Sequence, residues 1–386
     1  MKTYKLFAIG ARSSGKTCFL AAFYKQLSVA TQETGFSLMP LERSKPSWVS
    51  RYSATKHNRL IGIYNQIESS GDWPSGTTTL EDWEFKCLVQ AKDDNKYDVL
   101  KLVYYDYRGD ILTRDPGDDI SVKEELEETE RKLASSDAIL FFLDGHKLLA
   151  FMQDDKNSLP SSLNDDLNHL LPRLQKVGSK PVQFIITKWD LFEGKQGKKY
   201  SLGEVKNRLL ENKQFAALVE FQNASSRRTR LIPVSAVGKG FATIGENQVM
   251  KKASNVKAEP YQVEMTLACM LIDGFDSAYK NLYPWQKRVL DNTLLASGKL
   301  SQVSFLIAAA TVLSLPVEPQ YKMMYVPALA VIFKWGGDEL EKIVTKIRET
   351  KSYNIKNKDE ATLKVIERCK SLTEDLVKNH PSSLLT

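Results

Sequence analysis

Apolar residues in this chain fall into short solid runs separated by longer stretches with helical spacing. Tyr4–Ile9, Ala138–Leu143 and Val182–Ile186 are apolar almost throughout. Runs of that length predict strands buried on both faces. Trp83–Gln90 and Asp98–Tyr105 read as two further strands, and Asp93-Asp94-Asn95 between them is a turn signal, so a hairpin is expected. Arg230–Val234 is a short sixth strand. Phe19, Leu20, Phe23 and Leu27 place one face of a helix over Cys18–Leu27. Further helices are expected around Trp48–Ile67, over Ser121–Leu133, over Ser161–Val177 with an interruption near Pro172, over Leu202–Phe221 and over Tyr261–Tyr279. Strands alternating with helices predict a mostly parallel sheet covered on both sides, hence an α/β fold.

The alternation stops near Asn281. Apolar runs follow at Val303–Val317 and Met323–Trp335, flanking Pro316-Val317-Glu318-Pro319, then amphipathic helices near Asp338–Lys351 and Asp359–Asn379. Two units are expected: residues 1–280, with an insertion over about 28–75, and a C-terminal α-helical module over 281–386. No apolar run reaches the ~18 residues of a membrane span, so the Val303–Trp335 stretch favours buried core over a bilayer contact. The stripe Leu340, Ile343, Ile347, Leu363, Ile366, Leu372 and Leu376 is expected to pack internally.

At 386 residues, with 42% apolar and 26% charged residues, the composition is that of an ordinary globular protein. The net charge of +7 is spread along the chain, with local clusters at Lys195–Lys199 and Arg227–Arg230. No aromatic-interleaved basic stripe accompanies them, which weighs against nucleic acid as a partner. The four cysteines, Cys18, Cys87, Cys269 and Cys369, are far apart, with no zinc spacing and no disulfide framework. With no signal peptide before the first strand, a cytoplasmic location is expected. His57, His146, His169 and His380 form no catalytic arrangement.

The chemistry concentrates at strand ends. Gly10-Ala11-Arg12-Ser13-Ser14-Gly15-Lys16-Thr17 fits G-x-x-x-x-G-K-[ST], and it lies between the first strand and a helix, as a phosphate-binding loop must. Lys16 would reach the outer phosphates and the Thr17 hydroxyl would ligate Mg²⁺. Asp106-Tyr107-Arg108-Gly109 ends another strand: Asp106 can hold Mg²⁺, and the Gly109 N–H can approach a terminal phosphate. Thr187-Lys188-Trp189-Asp190 follows the strand Val182–Ile186. The Asp190 carboxylate can accept from guanine N1 and N2, a donor pair that adenine lacks, while the Lys188 stem covers the base. Ser235-Ala236, at the end of Arg230–Val234, is small enough for a backbone N–H to reach guanine O6. One of Thr77, Thr78 and Thr79, with Thr77 favoured, meets Mg²⁺ and the γ-phosphate.

In these motifs the sequence resembles the P-loop GTPase superfamily, in its Ras-like, translation-factor-related class. The resemblance rests on Gly10, Gly15, Lys16, Thr17, Asp106, Gly109, Thr187, Lys188, Asp190, Ser235 and Ala236 and covers about residues 1–280. It implies a three-layer fold with a six-stranded sheet, with Ser13, Ser14 and Cys18 completing the nucleotide site. It also implies Mg²⁺, and switching between GTP and GDP forms. The insertion before switch I, Trp73-Pro74-Ser75-Gly76-Thr77 and Tyr261-Gln262-Val263-Glu264 look like the bacterial double-GTPase group of conflict systems.

Several positions depart from that pattern. Thr187 stands where asparagine is usual, and Arg12 occupies a position often held by glycine, where it can crowd an incoming arginine. Asp110 replaces the glutamine that orients the attacking water, so slow hydrolysis is expected until a partner completes the site. Within the chain itself, Arg108 and Arg114 are candidates for offsetting transition-state charge. The expected function is Mg²⁺-dependent hydrolysis of GTP to GDP and phosphate, with Lys16, Gly109, Asp110 and Thr77 at the reacting centre. The helical module would couple nucleotide state to a protein partner or to a nucleotide-dependent homodimer, in bacterial defence or stress signalling. The alternatives are a nucleotide-loaded interaction module with negligible hydrolysis and a GTP-gated membrane effector. Thr187–Asp190 disfavours a P-loop kinase or ATPase.

Overall fold

The computed structural model describes residues 3–29, 35–41, 47–91, 95–112, 117, 119–154, 162–176, 180–193, 199–225, 227–245, 250–280, 355 and 358–385. The expected elements at Val303–Val317, Met323–Trp335 and Asp338–Lys351, most of the Asp93–Asn95 turn, and Arg114 lie outside the described residues.

Ten strands are described: β1 (Thr3–Ile9), β2 (Ser37–Pro40), β3 (Glu81–Gln90), β4 (Lys96–Asp106), β5 (Ala138–Leu143), β6 (Val182–Ile186), β7 (Thr229–Pro233), β8 (Ala242–Ile244), β9 (Met250–Lys252) and β10 (Leu384–Leu385). Eight of them form one sheet in the order β10-β7-β6-β5-β1-β4-β3-β2. The run β4-β1-β5-β6-β7 is parallel, β3 is antiparallel to β4, and β2 and β10 close the edges antiparallel to β3 and β7. Every residue of β5, β6 and β7 is buried, as expected of parallel strands covered on both faces.

Side-chain alternation along the strands divides the core in two. Leu6 and Ala8 of β1 face one layer with Phe142 and Ile185; Phe7 and Ile9 face the other with Phe141 and Phe184. The first layer holds α1 (Lys16–Leu27), α2 (Ser47–Ser70), α8 (Met265–Lys280) and α9 (Lys358–Asn379), through residues such as Phe23, Tyr64, Cys269 and Leu372. The second holds α3 (Ile120–Ser135), α5 (Leu163–Lys176), α6 (Leu202–Leu210) and α7 (Lys213–Ala224), through Leu133, Leu170, Val205 and Phe215. A short α4 (Gly145–Met152) follows β5, and β8 and β9 form a separate hairpin. This is a three-layer α/β architecture, with helices on both faces of a mostly parallel sheet. Because the sheet grows from β1 in both directions, the carboxyl end of β1 is a topological switch point, where such sheets bind ligands.

The structure differs from expectation at several places; the helix expected over Tyr261–Tyr279, for one, begins at Met265. The sheet has eight strands rather than six, because β2 and β10 add to the edges. The helix expected over Leu202–Phe221 is two. The Asn212 side chain accepts from the N–H groups of Gln214 (3.1 Å) and Phe215 (3.0 Å), starting a new helix where apolar spacing alone reads as one. The helix α5 runs unbroken through Pro172. Residues 355 and 358–385, expected in a separate module, pack into the core around the sheet instead. Ile355, Val365, Cys369, Leu372 and Leu376 are buried in the first layer, and Leu385, on the strand paired to β7, lies in the second. Among the described residues, no helix is long and apolar enough to cross a membrane.

Candidate functional site

The loop between β1 and α1 turns through left-handed backbone at Ser13 (φ 65°) and Gly15 (φ 86°). At Gly15 a side chain would be strained and would press on Thr187, 3.3 Å from its Cβ. The Lys16 ammonium is folded back onto the loop, donating to the carbonyls of Gly10 (2.9 Å) and Ala11 (3.1 Å). It is buried, which lowers its pKa from the ordinary 10.5 to about 8, against the raising influence of Asp106. The Ser14 hydroxyl is buried without a hydrogen-bond partner. Cys18, half-buried on the first turn of α1, has its thiol pushed up to about 11 by burial.

Asp106 ends β4 beside this loop. Its Oδ2 accepts from Thr77 Oγ1 (3.0 Å) and Thr17 Oγ1 (3.3 Å), and the two hydroxyls lie 2.9 Å apart. Thr77 is half-buried here, whereas Thr78 and Thr79 are exposed. Asp106 Oδ1 is buried and has no hydrogen-bond partner. Burial raises the Asp106 pKa, opposed first by Lys16. Three hard oxygen groups, with one carboxylate oxygen left unpaired, form a donor set that suits Mg²⁺. Gly109 lies on the phosphate loop so closely that a Cβ would come within 2.7 Å of Arg12 N and 2.8 Å of Arg12 Cα. Asp110 is ion-paired to Arg108 (2.9 Å), which also reaches Glu125 (3.4 Å).

The end of β6 braces the same loop. Thr187 Oγ1 donates to Ser14 O (2.9 Å), so a threonine performs the bracing that the sequence put in question. Lys188 Nζ donates to Ser13 O (3.2 Å) and to both Asp144 oxygens (2.8 and 3.0 Å). Asp190, 7% exposed, accepts from Ser235 Oγ at 2.6 Å through Oδ1, while its buried Oδ2 has no partner. Burial raises its pKa, and the Ser235 bond opposes this. The Ser235 N–H donates to Tyr261 O (3.1 Å), so of the Ser235-Ala236 pair it is the Ala236 N–H that is left for a base.

Two contributors carry no motif signal. Tyr107, fully buried, donates from its hydroxyl to Gly10 O (3.0 Å) and accepts from Gly10 N (3.1 Å), and its ring centroid lies 5.1 Å from Lys16 Nζ. Asp144 anchors Lys188. Its sequence clue is an acid immediately after a wholly apolar strand, at the edge where the other motifs end.

Neither a protein-family model nor any curated protein matches the sequence. Among solved structures the chain is similar to the signal recognition particle receptor SRb-GTP/SRX complex from Chaetomium thermophilum. The identity is 18%, over 62% of this chain and 94% of that one, with a TM-score of 0.34. What the site can bind follows from its own residues.

Proposed function

We propose that this chain is a Mg²⁺-dependent GTP-binding switch protein that hydrolyses GTP to GDP and phosphate. The observation that carries this reading is the Asp190 carboxylate. One of its oxygens is fixed by Ser235, and the other is buried and unpaired, at the sheet edge that also holds Lys16 and the Thr17–Thr77–Asp106 cluster. A buried carboxylate oxygen without a donor is costly, and the paired N–H groups of guanine at N1 and N2 supply what it lacks. Adenine offers no such pair and leaves the cost in place.

In the reaction, water attacks the γ-phosphorus in line. The bond from that phosphorus to the β–γ bridging oxygen breaks, its electron pair stays on GDP, and a water proton leaves with the phosphate. Lys16 stabilises charge on the phosphoryl oxygens. The Thr17 and Thr77 hydroxyls and Asp106 would hold Mg²⁺, which when bound neutralises charge on the β- and γ-phosphates. Gly109 brings switch II against the phosphate loop. Single-turnover phosphate release from GTP tests the reading. Release should require Mg²⁺ and fall roughly 10²-fold in Thr17→Ala. Wild-type protein that binds GTP without releasing phosphate would contradict it and favour a nucleotide-loaded interaction module. The Asp110–Arg108 ion pair specifically supports that second reading, because it occupies the carboxylate offered to the water.

Lys16 also predicts a proton linkage. Its folded pKa, about 8, lies below its ordinary 10.5, so the nucleotide-free protein sheds this proton first. Phosphate favours the charged form, so binding above pH ~8 must take a proton back up, and affinity should fall by up to about tenfold per pH unit between pH 8 and 9. Calorimetry in buffers of different ionisation enthalpy should show uptake near zero at pH 7 and approaching one proton at pH 9. Equal values at both would contradict it.

Coupling of nucleotide state to a partner is proposed for the C-terminal part of the chain, residues 281–386. A place in bacterial defence or stress signalling is proposed on the double-GTPase resemblance.

A further inference from the structure

Transfer of the γ-phosphoryl group loads negative charge onto oxygens that Lys16 alone does not cover, and an arginine placed there accounts for much of the acceleration in related chemistry. The cations around the site are differently committed. Lys188 is held by Asp144, and Arg108 is drawn to Asp110 and Glu125, towards α3. Arg12 is exposed, and among the described residues it takes part in no ion pair or hydrogen bond.

Its position is built from both switch segments. Gly109 of switch II lies against Arg12 N and Cα, where a Cβ would come within 2.7 and 2.8 Å. On the other side a Cβ at Gly76 would stand 3.6 Å from Arg12 Nε and 3.9 Å from its Cγ. Gly76 directly precedes Thr77, whose hydroxyl meets Thr17 and Asp106. The Arg12 side chain therefore runs from the phosphate loop across the residue beside the proposed cation cluster. Glycine at 109 is required by its approach to the Arg12 backbone, while Gly76 lies at ordinary contact distance along the Arg12 side chain.

Resting on the GTPase reading above, we infer that Arg12 is a catalytic arginine supplied by the chain itself, its guanidinium contacting the γ-phosphoryl oxygens as the bond to the bridging oxygen breaks. The planar fork suits two oxygens at once, which a lysine ammonium does not. Arg12 does not crowd out an arginine from a partner; it takes that place, and Arg108 serves to hold Asp110.

The test compares full-length wild type, Arg12→Ala and Arg12→Lys in three measurements: GTP and GDP affinity, single-turnover hydrolysis, and the melting temperature of GDP-loaded protein with and without fluoroaluminate, a mimic of the transferring phosphoryl group. Arg12→Ala should keep both affinities within about threefold and lose about 10³-fold in rate. Its melting temperature should no longer rise with fluoroaluminate, whereas wild type rises without any partner; Arg12→Lys should fall between the two. An Arg12→Ala protein at wild-type rate overturns the inference. So does wild type that binds GDP yet ignores fluoroaluminate, and so does a parallel loss of GTP and GDP affinity, which would make Arg12 a ground-state phosphate contact. Failure of wild type to prefer GTP over ATP would instead remove the underlying reading, and the inference with it.

Discussion

An Asp190→Asn protein is expected to lose GTP affinity by about 10²- to 10³-fold, the worth of charge-assisted hydrogen bonds at ~1.5–3 kcal/mol each. The Ser235 hydroxyl fixes Oδ1 at 2.6 Å, so the position facing the base is the unpaired Oδ2. An amide group there meets the guanine amino group donor to donor. The same amide suits xanthine, which carries a carbonyl at C2 and keeps the N1 hydrogen, so xanthosine triphosphate should gain what GTP loses. A gain for one base beside a loss for the other separates recognition from damage to the fold. Unchanged GTP affinity in Asp190→Asn, measured by competition, would contradict the assignment.

The second large effect concerns stability. Arg230 on β7 donates to both oxygens of Asp273 on α8, at 2.6 and 2.8 Å, and Gln183 on β6 donates to the same carboxylate at 3.0 Å while accepting from the Arg230 N–H. Arg230 is 3% exposed and Asp273 1%. Asp273→Ala takes the bidentate carboxylate away from a buried guanidinium, so it should cost about 3–5 kcal/mol. That is a large share of the ~5–15 kcal/mol that holds a domain folded. Replacing both by apolar residues, Arg230→Met with Asp273→Leu, should recover most of the loss, since the buried ion pair is removed as a unit. Urea unfolding measures both, and a single-mutant cost under about 1 kcal/mol would contradict this account.

Strand positions were legible in the sequence wherever burial on both faces makes a strand apolar throughout: Ala138–Leu143 and Val182–Ile186 occur as read. The motifs were legible for a related reason. The proposed phosphate, cation and base chemistry would demand particular side chains at the ends of those strands, and Lys16, Thr17, Thr77, Asp106, Thr187 and Asp190 lie at one edge. What was not legible depends on contacts distant in sequence. The strand Leu384–Leu385 has only two residues and exists because β7 offers an open edge. The stripe of α9 identifies an apolar face without identifying α8 and β4 as what it packs on. Tyr107 sits inside a recognised motif, but an aromatic residue at a strand end reads as core, and its hydroxyl grip on Gly10 needs the folded loop. The break at Asn212 rests on a side-chain cap that apolar spacing does not encode.

The most direct test of guanine recognition is equilibrium competition on the full-length wild-type protein, with a fluorescent GDP analogue displaced by GTP, GDP or ATP in Mg²⁺ buffer. GTP and GDP should displace it at concentrations at least about 10²-fold below ATP, because only guanine supplies the donors that Asp190 lacks. Displacement by ATP at the same concentration as GTP would contradict the account.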